Sequence, residues 1–468
     1  MPPLAAAALF GCVILGLLWL DRDPQSPTSK ALWIPVFWLL IVGSRPVSVW
    51  LHFGPLTDPP DMYLEGSPLD RSVYMCLLAA GLIVLVGRGR QVGKLLRANW
   101  PILLFFLYCA VSELWSDYPV VASKRWTKEV GDLVMVLVVL TDSDPRAAIM
   151  RLLSRTASLL VPLSILFIKY FPELGRGYVP WSWTPVPIGV STNKNMLGMV
   201  CLILGLGTLW RFLHEFRRRQ EGVRRTGPLI AQGVLLVMVM WLFWKADSAT
   251  SFSCFALAGS LILLTSLFRS ARKPAVLHLL ILAVLSVSLF AVFIAPDFVS
   301  VLGRDATLTG RTEVWNRVLG MTENPLFGTG YESFWLGPRL DSLWRTYWWH
   351  PNEAHNGYLE VYINLGWMGV FFLAVLLVRG YRKVAGAFQQ DVRAGGLRLA
   401  YFVVAVIYNF TEAAFKALHP VWIFFLLVTI ALPEAHVPEA SDIHGPLGAP
   451  HDSADLPPVR IDIYEEVV

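Results

Sequence analysis

The sequence predicts an all-α, polytopic membrane protein with about 12–13 transmembrane helices and one long external loop carrying short helices. Three observations predict this. Hydrophobic residues fill 55% of the 468 positions and charged residues only 16%, too apolar a balance for a soluble chain of this length. The apolar residues fall in blocks of about 20, the length a helix needs to cross a ~30 Å hydrocarbon core. The blocks are continuous and do not alternate, which favours helices over a barrel. The 19 Trp and 14 Tyr suit a protein with two membrane interfaces to line.

The blocks follow in order. Residues 4–20 are read as a retained first helix, because no basic stretch precedes them and many further spans follow. Further blocks lie at 31–50, 72–87, 99–114, 129–141, 152–170, 195–213, 228–244, 252–269, 275–295, 363–379, 398–415 and 419–432. The second is interrupted by Ser44, Arg45 and Pro46, and the fifth and last are short for a bilayer. These blocks divide the chain into N-terminal helices (1–114), a core with outward loops (115–295), a large external loop (296–362), C-terminal helices (363–432) and a tail. The tail, 433–468, is rich in Pro, Asp and Glu and poor in aromatics, and reads as disordered and cytoplasmic. Four of the five cysteines fall inside apolar blocks and the fifth, Cys254, at the start of one, in no metal or disulfide spacing.

Orientation follows from Lys and Arg in short loops. Clusters stand at Arg88/Arg90/Lys94/Arg97, Arg146/Arg151/Arg155, Arg217–Arg219 with Arg224/Arg225, Arg269/Arg272/Lys273 and Arg379/Arg382/Lys383, all on one side for the spans above. That side is read as the cytoplasm. Loops 51–71, 115–128, 171–194, 245–251, 296–362 and 416–419 then face outward. These loops hold cations on the disfavoured side: Lys124, Arg125 and Lys128, Arg176, Lys194, Lys245, Arg304, Arg311, Arg317, Arg339 and Arg345. An anionic ligand on that face would explain them, since Arg forks onto phosphate oxygens and Lys supplies a point charge. The plainer explanation is that long loops cross the membrane largely regardless of charge.

In the long loop, Leu308–Trp315 reads as a turn into a short helix, capped by Thr309 or Thr312, with Glu313 near its N-terminus. Asn324–Gly330 reads as a plain turn, with too few glycines for a phosphate loop. Residues 344–360 are dense in polar and aromatic groups, and a helix is predicted to start near Asn356, with Asn356 and Glu360 on one face. His355 stands at that helix entrance, where an imidazole can act as a general base or simply anchor the helix start. His350 precedes Pro351 in an irregular stretch and is the weaker candidate. Trp335, Trp344, Trp348 and Trp349 fit either a membrane interface or stacking on sugar rings.

The order and spacing of several short motifs resemble the O-antigen ligase and polysaccharide polymerase superfamily, most nearly its exopolysaccharide polymerization branch. The motifs are Trp115-Ser116 with Lys124-Arg125, Phe171–Arg176, Thr192–Gly198, Asp247–Ser251, Leu308–Arg311 with Trp315, and His355–Glu360 with Leu365-Gly366. The resemblance implies glycosyl transfer at the outer face of the bacterial cytoplasmic membrane, from a glycan carried on undecaprenyl diphosphate. It implies no nucleotide sugar, no metal and no cofactor. Its partners would be the lipid-linked glycan, membrane lipids, and chain-length regulator and export proteins, with no nucleic acid. By motif, Arg311 falls on the diphosphate and His355 on the acceptor hydroxyl as base. Arg176, Lys194, Asn195, Lys245, Arg125, Asn356 and Glu360 are the candidate substrate-binding residues. Two departures stand out. Ser248–Ser251 occupies a motif where ligases usually carry an arginine, so that Lys245 or Arg176 must substitute, and Asn193 stands where relatives often have His. The Ser-Ala-Thr form resembles the exopolysaccharide branch and favours a polymerase. The alternatives are an O-antigen ligase acting on lipid A–core, a transporter of the same lipid-linked glycan, or a non-catalytic homologue.

Overall fold

The computed structural model describes residues 1–22, 28–52, 66–178, 184–222, 225–268, 270–290 and 307–430, of which 307–310 are described by backbone only. The readings that fall on the tail, on Arg304 and on most of loop 51–71 lie outside these residues. The described chain is a helical bundle with one small β-hairpin, β1 (Arg176–Tyr178) against β2 (Pro185–Pro187).

Each apolar block is helical over most of its described length. The helices are α1 (Pro3–Leu20), α2 (Trp33–Val42), α3 (Val47–Trp50), α4 (Pro68–Val86), α5 (Gly89–Ala98) and α6 (Trp100–Val111). Then come α7 (Pro119–Leu140), α8 (Pro145–Tyr170), α9 (Pro172–Gly175), α10 (Lys194–Gln220), α11 (Gly227–Ala246), α12 (Ala249–Leu267) and α13 (Pro274–Leu289). The long loop carries α14 (Thr307–Gly320) and α15 (Gly337–Thr346), and α16 (Gly357–Gln390), α17 (Val392–Tyr408) and α18 (Pro420–Thr429) close the bundle. Among the described residues α1, α4, α8, α10, α11, α12 and α16 are long and apolar enough to cross a bilayer, and α5 with α6 makes a pair bent by 87°. Proline opens α1, α4, α6, α7, α8, α13 and α18, where its missing N–H costs no hydrogen bond. α10 packs against α8, α11 and α12, and α17 against α12, α16 and α18.

The helices run past the apolar blocks, which corrects several sequence boundaries. α7 begins at Pro119, so most of the expected loop 115–128 is helix. α8, α10 and α16 carry the clusters at Arg146/Arg151/Arg155, Arg217–Arg219 and Arg379/Arg382/Lys383 on helical turns. Hydropathy marks only the part of a helix that bilayer must solvate, whereas backbone hydrogen bonding continues beyond it. The block at 31–50 is broken at Gly43–Pro46. There Arg45 donates to the carbonyls of Leu174, Gly189 and Ser191, and lies 5.0 Å from the Trp50 ring. Thr309 and Thr312 fall within α14 rather than ahead of it.

Because α7 starts early, Glu129 and Asp132 fall within the bundle, buried, and not at a helix end. Each carboxylate meets two donors. Glu129 accepts from Trp422 Nε1 and from the Tyr331 hydroxyl, and Asp132 accepts from Trp38 Nε1 and from the Leu418 amide, both at 2.8 Å. They bind the chain around 331 and 418 to the helices.

Connections gather at two ends. At the basic end Arg225 donates to the Arg22 carbonyl at 3.0 Å, the Ser29 amide to Asp142 at 3.3 Å, and Lys383 to the Ala98 carbonyl at 3.0 Å. At the other end lie the hairpin, α14, α15 and the turn 409–419. The Asn324–Gly330 turn is more than a turn. It fills a break in α16 at Gly366, whose φ of 65° and ψ of −167° suit glycine alone. Trp367 and Met368 donate to the carbonyls of Pro325 (2.9 Å) and Leu326 (3.1 Å), while the amides of Thr329 and Gly330 donate to Ile363 and Asn364.

Candidate functional site

The site forms where α14, the entrance of α16 and the turn 409–419 meet. The local sequence fixes the α16 entrance. Asn356 caps it, its Oδ1 accepting from the Tyr358 and Leu359 amides at 3.0 Å, while Nδ2 donates to the Phe410 carbonyl at 3.3 Å. The Gly357 amide donates to the carbonyls of Asn409 and Glu412. A side chain at Gly357 would collide with Asn409 Oδ1, so only glycine allows the two segments this close. Asn409 Oδ1 in turn accepts from the Ala414 and Phe415 amides at 2.8 and 3.1 Å, which shapes the turn.

His355 precedes the cap in a left-handed conformation (φ 49°). Its Nδ1 lies 3.0 Å from Glu353 Oε1 and 3.3 Å from Glu412 Oε2. Lys416 pairs with Glu353 at 2.5 Å. Arg311 donates from Nη1 to the Thr411 carbonyl at 2.6 Å, and its Nη2 lies 3.8 Å from Glu412 Oε1. The result is a row of alternating charge, Lys416–Glu353–His355–Glu412–Arg311. Trp315 braces it by donating to the Ala354 carbonyl at 2.7 Å. The His355 side chain is 38% exposed, the most open of the row. No hydrogen bond to its Nε2 occurs among the described residues.

Burial by itself would pull the His355 pKa down, but the hydrogen bonds and charges of Glu353 and Glu412 outweigh it and raise it to about 9. For Glu353, burial pushes upward, and Lys416 and His355 reverse this, holding the carboxyl below the usual range. Lys416 is held above its ordinary value, as the charge of Glu353 outweighs the cost of burial. His355 therefore rests as an imidazolium at neutral pH, where the sequence suggested a neutral base. Glu353, His355 and Glu412 also offer three ligand atoms within 4.8 Å of one another, the donor set for a divalent cation. Both carboxylates already carry cations, Lys416 on one and Arg311 on the other, so a metal would enter by displacing the Nδ1 proton.

The other sequence candidates divide. Asn356 and Glu360 were expected on the ligand, but the fold consumes their polar atoms. Glu360 accepts from Trp335 Nε1 at 2.9 and 3.0 Å and from the Ala354 amide, which ties α16 to the loop. Arg125 donates to the Glu332 carbonyl and lies 3.9 Å from its carboxylate, a tie between α7 and the loop. Lys194 and the exposed Asn195 open α10, whose Asn193 cap accepts from the Met196 amide at 2.8 Å. Lys245 ends α11 with its Nζ 3.9 Å from the Trp244 ring, and it shares Trp241 with Lys169. Arg176, exposed on β1, is 3.5 Å from the Ile168 carbonyl. Among the described residues, no hydrogen bond or ion pair joins Arg176, Lys194 or Lys245 to the row of charges. His350 stacks on Trp344 at 4.7 Å, and Trp348 and Trp349 are exposed.

Sequence reasoning missed Glu353, Glu412 and Lys416. Glu412 fell inside an expected span, 398–415, although α17 ends at Tyr408. An ionisable residue in an apolar block is itself a functional signal.

Comparison with known proteins bears on the same segment. The O-antigen ligase family matches residues 222–374, which include Arg311, Glu353 and His355. Over that segment the chain is similar to the O-antigen ligase family. Among its relatives is the exopolysaccharide production protein ExoQ of Rhizobium meliloti (strain 1021), 24% identical over 312 residues, 64% of this chain and 68% of that protein. Another is the putative polysaccharide ligase RP358 of Rickettsia prowazekii (strain Madrid E), 22% identical over 350 residues, 71% of this chain and 80% of that protein. A putative polysaccharide ligase of Rickettsia bellii (strain RML369-C) is 24% identical over 212 residues, 43% of this chain and 52% of that protein. The chain is thus a multi-pass, helical membrane protein, and its similarities point to a glycan-processing role.

Proposed function

We propose that this protein is a lipid-linked glycosyltransferase that polymerises undecaprenyl-diphosphate-linked oligosaccharide repeats into exopolysaccharide. The observation that carries the reading is the row Lys416–Glu353–His355–Glu412–Arg311 at the end of the bundle away from the basic clusters. In the reaction an acceptor hydroxyl attacks C1 of the donor sugar. The C1–O bond to the diphosphate breaks, and its electron pair leaves with the lipid diphosphate. Arg311 supplies fixed positive charge for that leaving group, held by Thr411 and Glu412 so that little reorganisation is needed. His355 takes the hydroxyl proton on Nε2 in its neutral form, while Glu353 and Glu412 hold Nδ1. The exposed Trp348 and Trp349 offer stacking faces to the sugars. The reaction is metal-independent and faces the periplasm from the bacterial inner membrane, since the opposite end carries the basic residues. Relatives named for exopolysaccharide production and for polysaccharide ligation support the class of substrate.

The raised His355 pKa favours a second reading of the same site, in which the imidazolium joins Arg311 in stabilising the diphosphate. The pH profile separates the two. A base gives a rate that climbs up to about pH 9, and an imidazolium gives one that falls above it. The test of the function is replacement of Arg311 or His355 by Ala, reading polysaccharide length on gels with purified protein and lipid-linked repeats. Loss of long chains is expected. Unchanged long chains in a normally inserted variant would sink the proposal. Glycan lost from lipopolysaccharide, with free polysaccharide unaffected, would identify a ligase instead.

A further inference from the structure

We propose that Asp132, inside the bundle, is a positioning residue for the site: it fixes the turn that presents Lys416 to Glu353, and through Glu353 it sets the place of His355. The proposal rests on the reading of the charged row as the functional site, while the clamp itself is open to measurement apart from the reaction.

Asp132 is fully buried on α7 within an apolar block, where an ionisable side chain is costly and marks a role. Its two oxygens meet two donors from distant parts of the chain. Oδ1 accepts from Trp38 Nε1 on α2, and Oδ2 from the Leu418 amide, 286 residues away, both at 2.8 Å. An ionised carboxylate suits this place because it offers acceptors alone. The α2 side of the arrangement is firmly packed. Trp38 is 1% exposed and lies edge-on to Tyr74 at 4.9 Å. A Cβ at Gly131 would collide with the Trp38 ring, so glycine lets the indole cross α7 beside Asp132. What the clamp controls is therefore the turn.

The turn is held differently at its two ends. Glu412 stands at the end fixed by Asn409 and Gly357. Lys416 stands at the other, after Phe415, whose ring packs on Tyr358 (5.4 Å) and Trp422 (5.8 Å). Two residues past Lys416 the backbone passes through a left-handed conformation at Leu418 (φ 56°), which a side-chain-bearing residue keeps only when its surroundings hold it there. Asp132 binds the amide of that very residue. Beyond it His419 caps α18, its Nδ1 accepting from the Val421 amide at 3.2 Å. Without Asp132 the Leu418 backbone relaxes and draws Lys416 from Glu353, now 2.5 Å away. Glu353 then loses the partner that steadies it 3.0 Å from His355 Nδ1.

The test uses the full chain in nanodiscs. Amide hydrogen exchange and amine labelling are read by peptide mass spectrometry, and chain extension is measured with lipid-linked repeats. Asp132→Ala should speed exchange of the segment at Leu418 about tenfold, the size of one lost hydrogen bond to a charged acceptor. Lys416 should react faster with an amine-directed ester. The variant should lower kcat by about 10–10²-fold with KM for the donor little changed, since a displaced base slows the chemical step and not binding. Tyr401→Phe deletes another buried bond, to the Ile203 carbonyl at 2.8 Å, and should lower the unfolding temperature while leaving exchange at Leu418, labelling of Lys416 and kcat as they are. Should Asp132→Ala fail to insert, Asp132→Asn decides. It keeps the shape but offers two donors one neutral acceptor, and should speed exchange at Leu418 about threefold. Unchanged exchange at Leu418 with unchanged labelling of Lys416 in an inserted variant would overturn the proposal, as would an equal rise in Tyr401→Phe. Faster exchange and labelling with kcat unchanged would keep the clamp and overturn instead the assignment of the row to glycosyl transfer.

Discussion

Replacing Glu412 by Gln removes one of the two carboxylates on His355 Nδ1 while keeping a similar shape and an acceptor oxygen. The structure sets the size of the effect. An opposite charge within hydrogen-bonding reach moves a pKa by about 1–3. The His355 ring is 38% exposed, so solvent screening argues for the low end. The His355 pKa should then fall from about 9 to about 8. At pH 7.5 the neutral fraction would rise from about 3% to about 24%, roughly eightfold. Diethyl pyrocarbonate acylates only neutral imidazole. Its rate of reaction at His355, followed by peptide mass spectrometry across pH, therefore reads this fraction without reference to activity. The wild type should show a midpoint near 9, and Glu412→Gln one near 8. A wild-type midpoint at the ordinary histidine value of 6.5 would refute the carboxylate-clamped imidazolium. So would a variant with an unshifted midpoint.

Arg311→Ala should lower the rate of chain extension about 10²–10³-fold, with Arg311→Lys recovering part of it, measured with lipid-linked repeats at saturating donor. The fold should lose stability on both sides of a window. His355, with its pKa raised, stabilises fully below 6.5 and less as pH climbs through about 9, whereas Glu353, with its pKa lowered, stabilises above 4.5 and loses this in acid. Unfolding temperature should therefore be highest between those values, and Lys416→Met should reduce it and weaken the acid-side dependence. Trp335→Phe keeps the ring but leaves Glu360 short of a donor, and should cost about 1–3 kcal/mol in unfolding free energy. Gly366→Ala forces a side chain into the Leu326 carbonyl at a φ of 65° and should destabilise by more than the ~1–3 kcal/mol of backbone strain alone, read as lowered unfolding temperature and yield.

Much of this architecture is legible in the sequence, because lipid solvation writes itself into composition. The apolar blocks locate the helices, and Asn356 announces a cap by its residue type and place. Arg311 and His355 are visible as a cation in the long loop and an imidazole at a helix entrance. Their partners are harder to see. Glu412 and Lys416 lie in the turn between α17 and α18 and gain meaning only when that turn folds against the α16 entrance, 57 residues separating His355 from Glu412. Glu360 and Asn356 look like ligand groups for the opposite reason. A polar side chain satisfied by the fold is indistinguishable in sequence from one that faces a substrate, until its hydrogen bonds are counted. Asn324–Gly330 reads as a turn because turn residues report backbone shape, and nothing in them reports that the shape fits a break in another helix.

That fit imposes an order of assembly. Freed amides of a broken helix find no partner in lipid, and leaving them unpaired there costs several kcal/mol each. The amides of Trp367 and Met368 are satisfied by Pro325 and Leu326, about 40 residues earlier in the chain. α16 therefore cannot settle in its final form until the preceding segment has folded back to meet it. Docking of the loop and completion of the helix are thus one event, and a chain in which 324–330 has not docked carries unpaired amides inside its own helix.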